Sequence, residues 1–144
     1  MFYPLKITRL GDHEYQLTSR DIPELYFKAE TEAELVSYAG TAIPGTLELC
    51  YRRQKKAFPL PSSPATDEIL VAVPLKVQAK IALWNFILSK GLKLGEAAKT
   101  LGVSQTVAQR FVDLSQNRAS LDAIEDAMIK LGGHFTISVE QGPT

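Results

Sequence analysis

The chain has 144 residues, of which 45% are hydrophobic, and its 16 basic residues balance its 16 acidic residues. This composition is typical of one or two globular domains and excludes a chain that is disordered throughout. Cys50 is the single cysteine, which excludes an internal disulfide and a cysteine-rich metal site. No apolar run approaches the length of a membrane span and the first residues lack the pattern of a secretory signal, so we expect a cytoplasmic protein.

The charges are distributed unevenly along the chain. Residues 12–34 contain seven acidic and two basic residues, whereas residues 76–118 contain seven basic and two acidic residues. The sequence therefore predicts an acidic first part and a basic second part. A basic surface of this kind attracts the phosphates of nucleic acids.

The first part has the pattern of a small β-sheet. Period-two alternation of apolar residues predicts strands at 2–9 and 14–19, joined by a turn, and a third short strand at 25–29. The segment 57–66 contains three prolines and two serines and predicts an extended connection. A continuous apolar run at 68–73 follows and predicts a fourth, buried strand of the same sheet.

A helix is expected between the third and fourth strands. Thr31 and Glu34 form a capping box that begins it. Pro44 and Gly45 fall inside the helical pattern, so we expect a kink or two helical pieces. The second piece ends in a basic run, which we interpret as a solvated helix end rather than a nucleic-acid-binding patch, because cations are favoured at a helix C-terminus. The run consists of Arg52, Arg53, Lys55 and Lys56.

The second part has the pattern of consecutive short helices. Helical spacing predicts a helix at 76–90 and another that begins at Ser120 and ends before Gly132. Between them, residues 93–113 predict a helix, a tight turn at Gly102 and a second helix capped by Ser104. This stretch resembles the helix-turn-helix of the Cro/repressor type, and the alternative is a plain helical hairpin in a small bundle.

The second helix of this motif carries amide, hydroxyl and guanidinium groups on its outward face. Such groups hydrogen-bond to base edges and phosphates. Together with nearby lysines they are the candidate DNA-binding residues: Lys93, Lys99, Ser104, Gln105, Thr106, Gln109 and Arg110.

The end of the chain alternates apolar and polar residues at 134–140, which predicts a last strand. A lone strand after a helical unit must join the front sheet or pair with its copy in a second subunit. We favour the second arrangement, through Phe135, Ile137 and Val139, because a two-fold dimer is what helix-turn-helix proteins use to bind two half-sites. A homodimer or a higher even oligomer is therefore expected.

Catalytic patterns are weak in this sequence. His13 and His134 have no partner at the spacing of a metal site or a catalytic triad, and no phosphate-binding loop or nucleophile motif is present. Glu14, Asp21 and Glu24 could form a metal site, but ordinary surface carboxylates explain them more simply. We therefore expect neither an enzyme nor a cofactor.

Five short motifs occur in an order that resembles the HicB family of antitoxins across essentially the full length. They are the Tyr3-Pro4 opening, the turn at 21–24, the helix start T-E-A-E at 31–34, the PLPS segment at 59–62 and V-P-L at 73–75. Each motif is short, but their order over the whole chain is specific.

This resemblance implies an α+β fold with two domains. Residues 1–73 would form a partial ribonuclease H-like fold of order β-β-β-α-β that neutralises a small basic HicA-type toxin, an mRNA-cleaving ribonuclease. Residues 74–144 would form an all-helical helix-turn-helix domain with a dimerisation strand, which binds operator DNA and represses its own operon. An acidic front suits a basic toxin, and the candidate contacts are Glu14, Asp21, Glu24 and Glu30.

Two other functions are compatible with the same sequence. One is a stand-alone transcriptional regulator whose first domain senses a small ligand. The other is a residual metal-dependent nuclease, since an inherited scaffold does not determine activity.

Overall fold

The structure is a computed structural model that describes residues 1–143; Thr144, the last residue of the predicted second domain, lies outside the described residues. Its first part is one antiparallel sheet of order β3-β2-β1-β4. The strands are β1 (Phe2–Gly11), β2 (Glu14–Ser19), β3 (Tyr26–Ala29) and β4 (Glu68–Ala72). With a helix between β3 and β4, the predicted order β-β-β-α-β is confirmed, while the relation to ribonuclease H stays a prediction.

The position of β4 differs from the prediction. Its apolar run suggested a strand buried on both faces, but β4 pairs with β1 alone in the four-stranded sheet and its residues are half-buried or exposed. Pro4 is tolerated inside β1 because pairing of β1 with β2 begins only at Leu5, so Pro4 lies beyond the end of β2.

The helix α1 (Glu32–Leu47) begins as its capping signal predicts, with the Thr31 hydroxyl accepting a hydrogen bond from the amide of Glu34 at 3.2 Å. We expected a kink or two helical pieces at Pro44; the α-helix is not divided there and continues through this residue to Leu47. Ile43 and Leu47, on either side of Pro44, are 1% and 0% exposed. The free energy gained by burying these two side chains offsets the free energy lost because the proline cannot donate a backbone hydrogen bond.

The irregularity that we expected at Pro44 occurs one turn later. The chain continues from α1 into a π-helical turn at Glu48–Arg52, in which the amide of Arg53 donates to the carbonyl of Glu48 at 3.0 Å. This wider turn places both Glu48 and Arg52 in the interior. The π-helical turn therefore brings two charged side chains into the region where the two parts of the chain meet.

The connection after this turn has no regular secondary structure over residues 57–65, as predicted, yet it is firmly attached. Phe58 is buried, and its backbone amide and carbonyl both bond to the side chain of Asn85, at 2.7 and 3.1 Å. The Tyr3 hydroxyl donates to the carbonyl of Pro59 at 2.6 Å. The connection thus joins the sheet to the helices of the second part.

The second part consists of four helices, α2 (Leu75–Ser89), α3 (Leu94–Leu101), α4 (Gln105–Arg110) and α5 (Leu121–Lys130). One core cluster contains buried residues from both parts, among them Leu47 and Trp84. The indole of Trp84 also donates to the carbonyl of Lys56 at 2.8 Å. The division into domains 1–73 and 74–144 stays a prediction, and the two parts share a core.

The predicted last strand is not formed in the single chain, because residues 134–143 have no regular secondary structure. The arrangement in which it joins the front sheet is therefore wrong. Phe135 packs against the core, but Ile137 and Val139 are 79% and 96% exposed. Alternation produces a strand only where a second strand supplies hydrogen bonds, and within residues 1–143 no strand reaches this segment.

Among residues 1–143, no helix combines the length and the apolar character that a membrane span requires.

Candidate functional site

The predicted helix, turn and helix are present at residues 94–110. The backbone amide of Lys93 donates to the carboxylate of Glu96 at 2.9 Å where α3 begins. Gly102 ends α3 in the left-handed conformation, with φ of 70°, and the amide of Val103 donates to the carbonyl of Ala98 at 3.1 Å. The Ser104 hydroxyl then caps α4 by accepting from the amide of Val107 at 3.1 Å. These local contacts fix the angle between the two helices.

The candidate DNA-binding residues lie in different places. Four of them, two cationic and two amide side chains, line a cleft of about 1110 Å³: Lys93, Lys99, Gln105 and Gln109. Ser104 caps α4, Thr106 is exposed outside the cleft, and Arg110 is half-buried. The structure therefore brings together four of the seven predicted residues.

The other side of the cleft comes from the first part of the chain. Arg52, Arg53 and Lys55, at the end of the π-helical turn, line it, together with Trp84 and Leu88 of α2. With Lys93 and Lys99 the cleft has five basic residues and one acidic residue, Glu96. The basic run is visible in the sequence, but its place in this cleft is not. The spacing of residues along the chain does not indicate that Lys55 and Lys99 line the same cleft.

A buried carboxylate holds this side of the cleft in place. Glu48 is 1% exposed, and it accepts hydrogen bonds from the Nε atoms of Arg52 at 2.7 Å and Arg53 at 3.1 Å. It also accepts from the backbone amide of Leu114 at 2.9 Å. Since Leu114 follows α4 closely, Glu48 connects the π-helical turn directly to the end of the helix pair.

A second buried network fixes the segment after α4. Lys80 is 1% exposed and donates to the carbonyls of Asp113 at 2.7 Å and Gln116 at 2.6 Å, and burial lowers the pKa of its ammonium group. Burial alone would raise the pKa of the Asp113 carboxyl group. Hydrogen bonds from Ser115, Gln116 and Gln109 outweigh it and hold that pKa well below its ordinary value. Asp113 is therefore a structural carboxylate.

The four candidate toxin contacts do not form one patch. Tyr15 pairs with Ala29, so Glu14 and Glu30 lie at one end of β2 and β3. Asp21 and Glu24 follow Ser19 and lie in the connection at the opposite end. The predicted acidic surface is thus divided between two ends of the sheet.

The two pairs of carboxylates also differ in their partners. Asp21 accepts hydrogen bonds from the amide of Ser62 at 2.9 Å and from the Ser62 hydroxyl. Glu24 accepts from the hydroxyl of Tyr51 at 2.6 Å; burial and this bond raise the pKa of Tyr51 to about 12. Both carboxylates therefore hold the fold together.

Glu14 and Glu30 are more exposed than Asp21, and Glu30 has more acidic residues close to it in the chain than Asp21 and Glu24 have. Glu14 contacts Lys28 at 3.3 Å, and the side chains at this end of the sheet are exposed. Two further exposed carboxylates, Glu32 and Glu34 at the start of α1, lie next to Glu30 in the chain. We call Glu14, Glu30, Glu32 and Glu34 the acidic corner. Sequence reasoning assigned the last two only to helix capping.

The metal site considered for Glu14, Asp21 and Glu24 is not assembled, because Glu14 lies at the opposite end of β2 from the other two. Over residues 1–143, no group of three or more His, Cys, Asp or Glu side chains is arranged to hold a metal ion.

Comparison with known proteins identifies the family. Residues 2–82, which include the whole sheet, α1 and half of α2, match the family model described as a HicB-like antitoxin of a bacterial toxin–antitoxin system. The chain belongs to this HicB-like family. The resemblance inferred from the motifs of the sequence is therefore confirmed.

Curated relatives extend the similarity of this HicB-like chain beyond residue 82. It is 28% identical to Antitoxin HicB of Escherichia coli K12 over 137 residues, which are 95% of this chain and 98% of the relative. It is also 28% identical to Antitoxin HicB 1 of Photorhabdus laumondii over 140 residues, 97% of this chain and 88% of the relative. The similarity to these relatives thus includes the helices of the second part.

Proposed function

We propose that this protein is the antitoxin of a type II toxin–antitoxin pair. In this role it binds and inhibits a small basic HicA-type ribonuclease, and it represses its own operon through α3 and α4. The observation that carries the proposal is the family match, which spans the complete sheet unit from residue 2 to residue 82. The match places the chain in an antitoxin family.

Toxin binding is assigned to the acidic corner. Its four exposed carboxylates attract a cationic protein, and complementary charge speeds association and selects the partner. Tyr38, on the helix α1 that begins at this corner, is 62% exposed, and tyrosines are favoured as interface anchors. Asp21 and Glu24, whose carboxylates already bond within the chain, are assigned a supporting role.

DNA binding is assigned to the helix pair. Gln105 presents an amide of the kind that hydrogen-bonds to adenine, and Lys93 and Lys99 present ammonium groups that bind phosphate. The amide of Gln109 is already engaged with Asp113. The exposed tail carrying Ile137 and Val139 would pair with its copy in a second subunit, so that two helix pairs bind two half-sites.

One comparison of variants in two assays tests this assignment. The first assay measures inhibition of RNA cleavage by the toxin encoded next to this protein, and the second measures binding to the duplex upstream of the operon. The wild-type protein should stop cleavage at about one-to-one stoichiometry and bind the duplex. Reversal of two charges of the acidic corner, Glu14→Lys with Glu30→Lys, should weaken inhibition and leave duplex binding unchanged.

The complementary variant changes the helix pair. Gln105→Ala with Arg110→Ala should weaken duplex binding about tenfold or more and leave toxin inhibition intact. Glu125→Lys, at an exposed position of α5, is the matched control for charge reversal and should change neither assay. A simultaneous loss of both activities in a folded variant would refute the assignment to separate surfaces. If a small metabolite changed the affinity for the duplex, and no toxin were encoded next to this protein, the stand-alone regulator would be favoured.

A further inference from the structure

The cleft beside α3 and α4 has a second cationic side that sequence-based reasoning interpreted as a solvated helix end. Arg52, Arg53 and Lys55 line the same cleft as Lys99 and Gln105. These residues belong to the first part of the chain, between α1 and the proline-rich connection. A nucleic acid bound along the helix pair would therefore meet cations from both parts.

The three basic residues differ in how far they are engaged within the protein. The side chain of Arg52 is 8% exposed and bonds to Glu48 through Nε at 2.7 Å and Nη2 at 2.5 Å, so its role is structural. The side chain of Arg53 is 50% exposed and contacts the same carboxylate through Nε at 3.1 Å. Lys55 is exposed. Arg53 and Lys55 thus present positive charge to the open part of the cleft.

The backbone of Lys55 supplies an independent observation. Its φ of 58° lies in the left-handed region, which is strained for residues that carry a Cβ atom. The amide of Lys55 donates to the carbonyl of Arg52 at 3.0 Å, and the amide of Lys56 donates to that of Tyr51 at 2.8 Å. This is the pair of bonds with which glycine usually ends a helix. Glycine would form the cap without strain, so the helix end itself does not require a lysine.

We propose that Arg53 and Lys55 bind phosphates of duplex DNA, so that the DNA-binding site is built from both parts of the chain. The inference rests on the proposed DNA binding by α3 and α4. Arg53, Lys55, Lys93 and Lys99, against the single acidic residue Glu96, give the cleft the charge that a phosphate backbone requires, since the charge of Arg52 is already paired with Glu48. The strained lysine at the cleft is accounted for by this contact, since strain persists where a side chain serves a function.

The test compares three single substitutions in the full-length protein. Lys55→Gln removes the charge that we assign to phosphate binding. Lys56→Gln removes the same charge from the next residue, which is exposed and outside the cleft. Lys55→Gly removes the charge and also relieves the backbone strain. Binding to the duplex upstream of the operon, and to an unrelated duplex of equal length, is measured over a range of salt concentrations.

Lys55→Gln should weaken binding to both duplexes about fivefold to tenfold at low salt, because a phosphate contact carries no sequence information. It should also reduce the slope of log K against log salt by about one. Lys56→Gln should retain the wild-type affinity and slope. Lys55→Gly should bind as weakly as Lys55→Gln while its thermal midpoint equals or exceeds that of the wild type, which separates a lost contact from a lost fold.

Three results would overturn the proposal in distinguishable ways. Equal affinities for Lys55→Gln and Lys56→Gln, with the wild type bound to DNA, would refute the second cationic side and leave the proposed function intact. A loss of toxin inhibition in Lys55→Gln, with DNA affinity unchanged, would assign this side of the cleft to the protein partner. A wild-type protein that binds neither duplex would refute DNA binding by the helix pair itself.

Discussion

At the scale of single residues, the carboxylate of Glu48 joins the π-helical turn to the segment that follows α4. It accepts hydrogen bonds from the Nε atoms of Arg52 and Arg53 and from the backbone amide of Leu114, which lies 66 residues away in the chain.

Glu48 should be among the residues whose replacement is most damaging. Glu48→Gln leaves Arg52, which is 8% exposed at its side chain, without a negative partner. Removing one member of a buried ion pair costs about 3–5 kcal/mol, since the remaining charge stays uncompensated. Urea denaturation should show the free energy of unfolding reduced by that amount.

A surface ion pair provides the matched control for this measurement. Asp126 and Lys130 are 2.9 Å apart on α5, with side chains 61% and 53% exposed. Asp126→Asn should reduce the free energy of unfolding by less than about 1 kcal/mol, because water screens the pair. Equal losses for the two variants would contradict the structural role of Glu48.

At the scale of elements, the strands were predicted more accurately than the helix that packs on them. The prediction for β2 at 14–19 is confirmed, because alternation records which side chains face the core. The division of the helix expected at Pro44 occurs only after Leu47, because tertiary burial of Ile43 and Leu47 outweighs the local penalty. The sequence shows the proline that destabilises a helix, but it does not show the burial of neighbouring side chains that offsets this cost.

Gly102 and Gly45 both have room for a side chain but differ in backbone conformation. A methyl group at Gly102 or at Gly45 would meet open space, but Gly102 has φ of 70° and Gly45 lies inside α1. Gly102→Ala should therefore destabilise the protein by about 1–2 kcal/mol, through the left-handed backbone alone. Gly45→Ala should stabilise it by about 0.5–1 kcal/mol, because alanine loses less entropy in a helix.

Thermal and urea denaturation of the two glycine variants provides the measurement. Opposite signs are expected. A Gly102→Ala variant as stable as the wild type would show that the turn between α3 and α4 tolerates a side chain, and a Gly45→Ala variant that loses stability would contradict the gain expected inside α1.

At the scale of the whole molecule, charge composition predicted the sign of each surface but not its arrangement. The acidic residues of the first part are divided between the acidic corner and the connection that holds Asp21 and Glu24. The cationic cleft draws on Lys55 as well as on α3 and α4. Both outcomes depend on packing between elements distant in the chain, about which periodicity carries no information.

The exposed tail makes a prediction about assembly. Ile137→Ser with Val139→Ser should convert a dimer into monomers and weaken binding to the upstream duplex, because the tail then has no apolar surface to pair. Phe135, which packs against the core, stays in place, so folding is preserved. Sedimentation velocity provides the measurement, and a dimer of unchanged DNA affinity would refute pairing through the tail.

The hydrogen bond from Leu114 to Glu48 also orders events during synthesis. At about 5–20 residues per second, a ribosome adds Leu114 roughly 3–13 seconds after Glu48. Within that interval the four strands and α1 are complete, whereas the carboxylate of Glu48 has only the nearby arginines as partners. A nascent chain therefore contains every residue of the surface assigned to the toxin before Leu114, the last partner of Glu48, has been added.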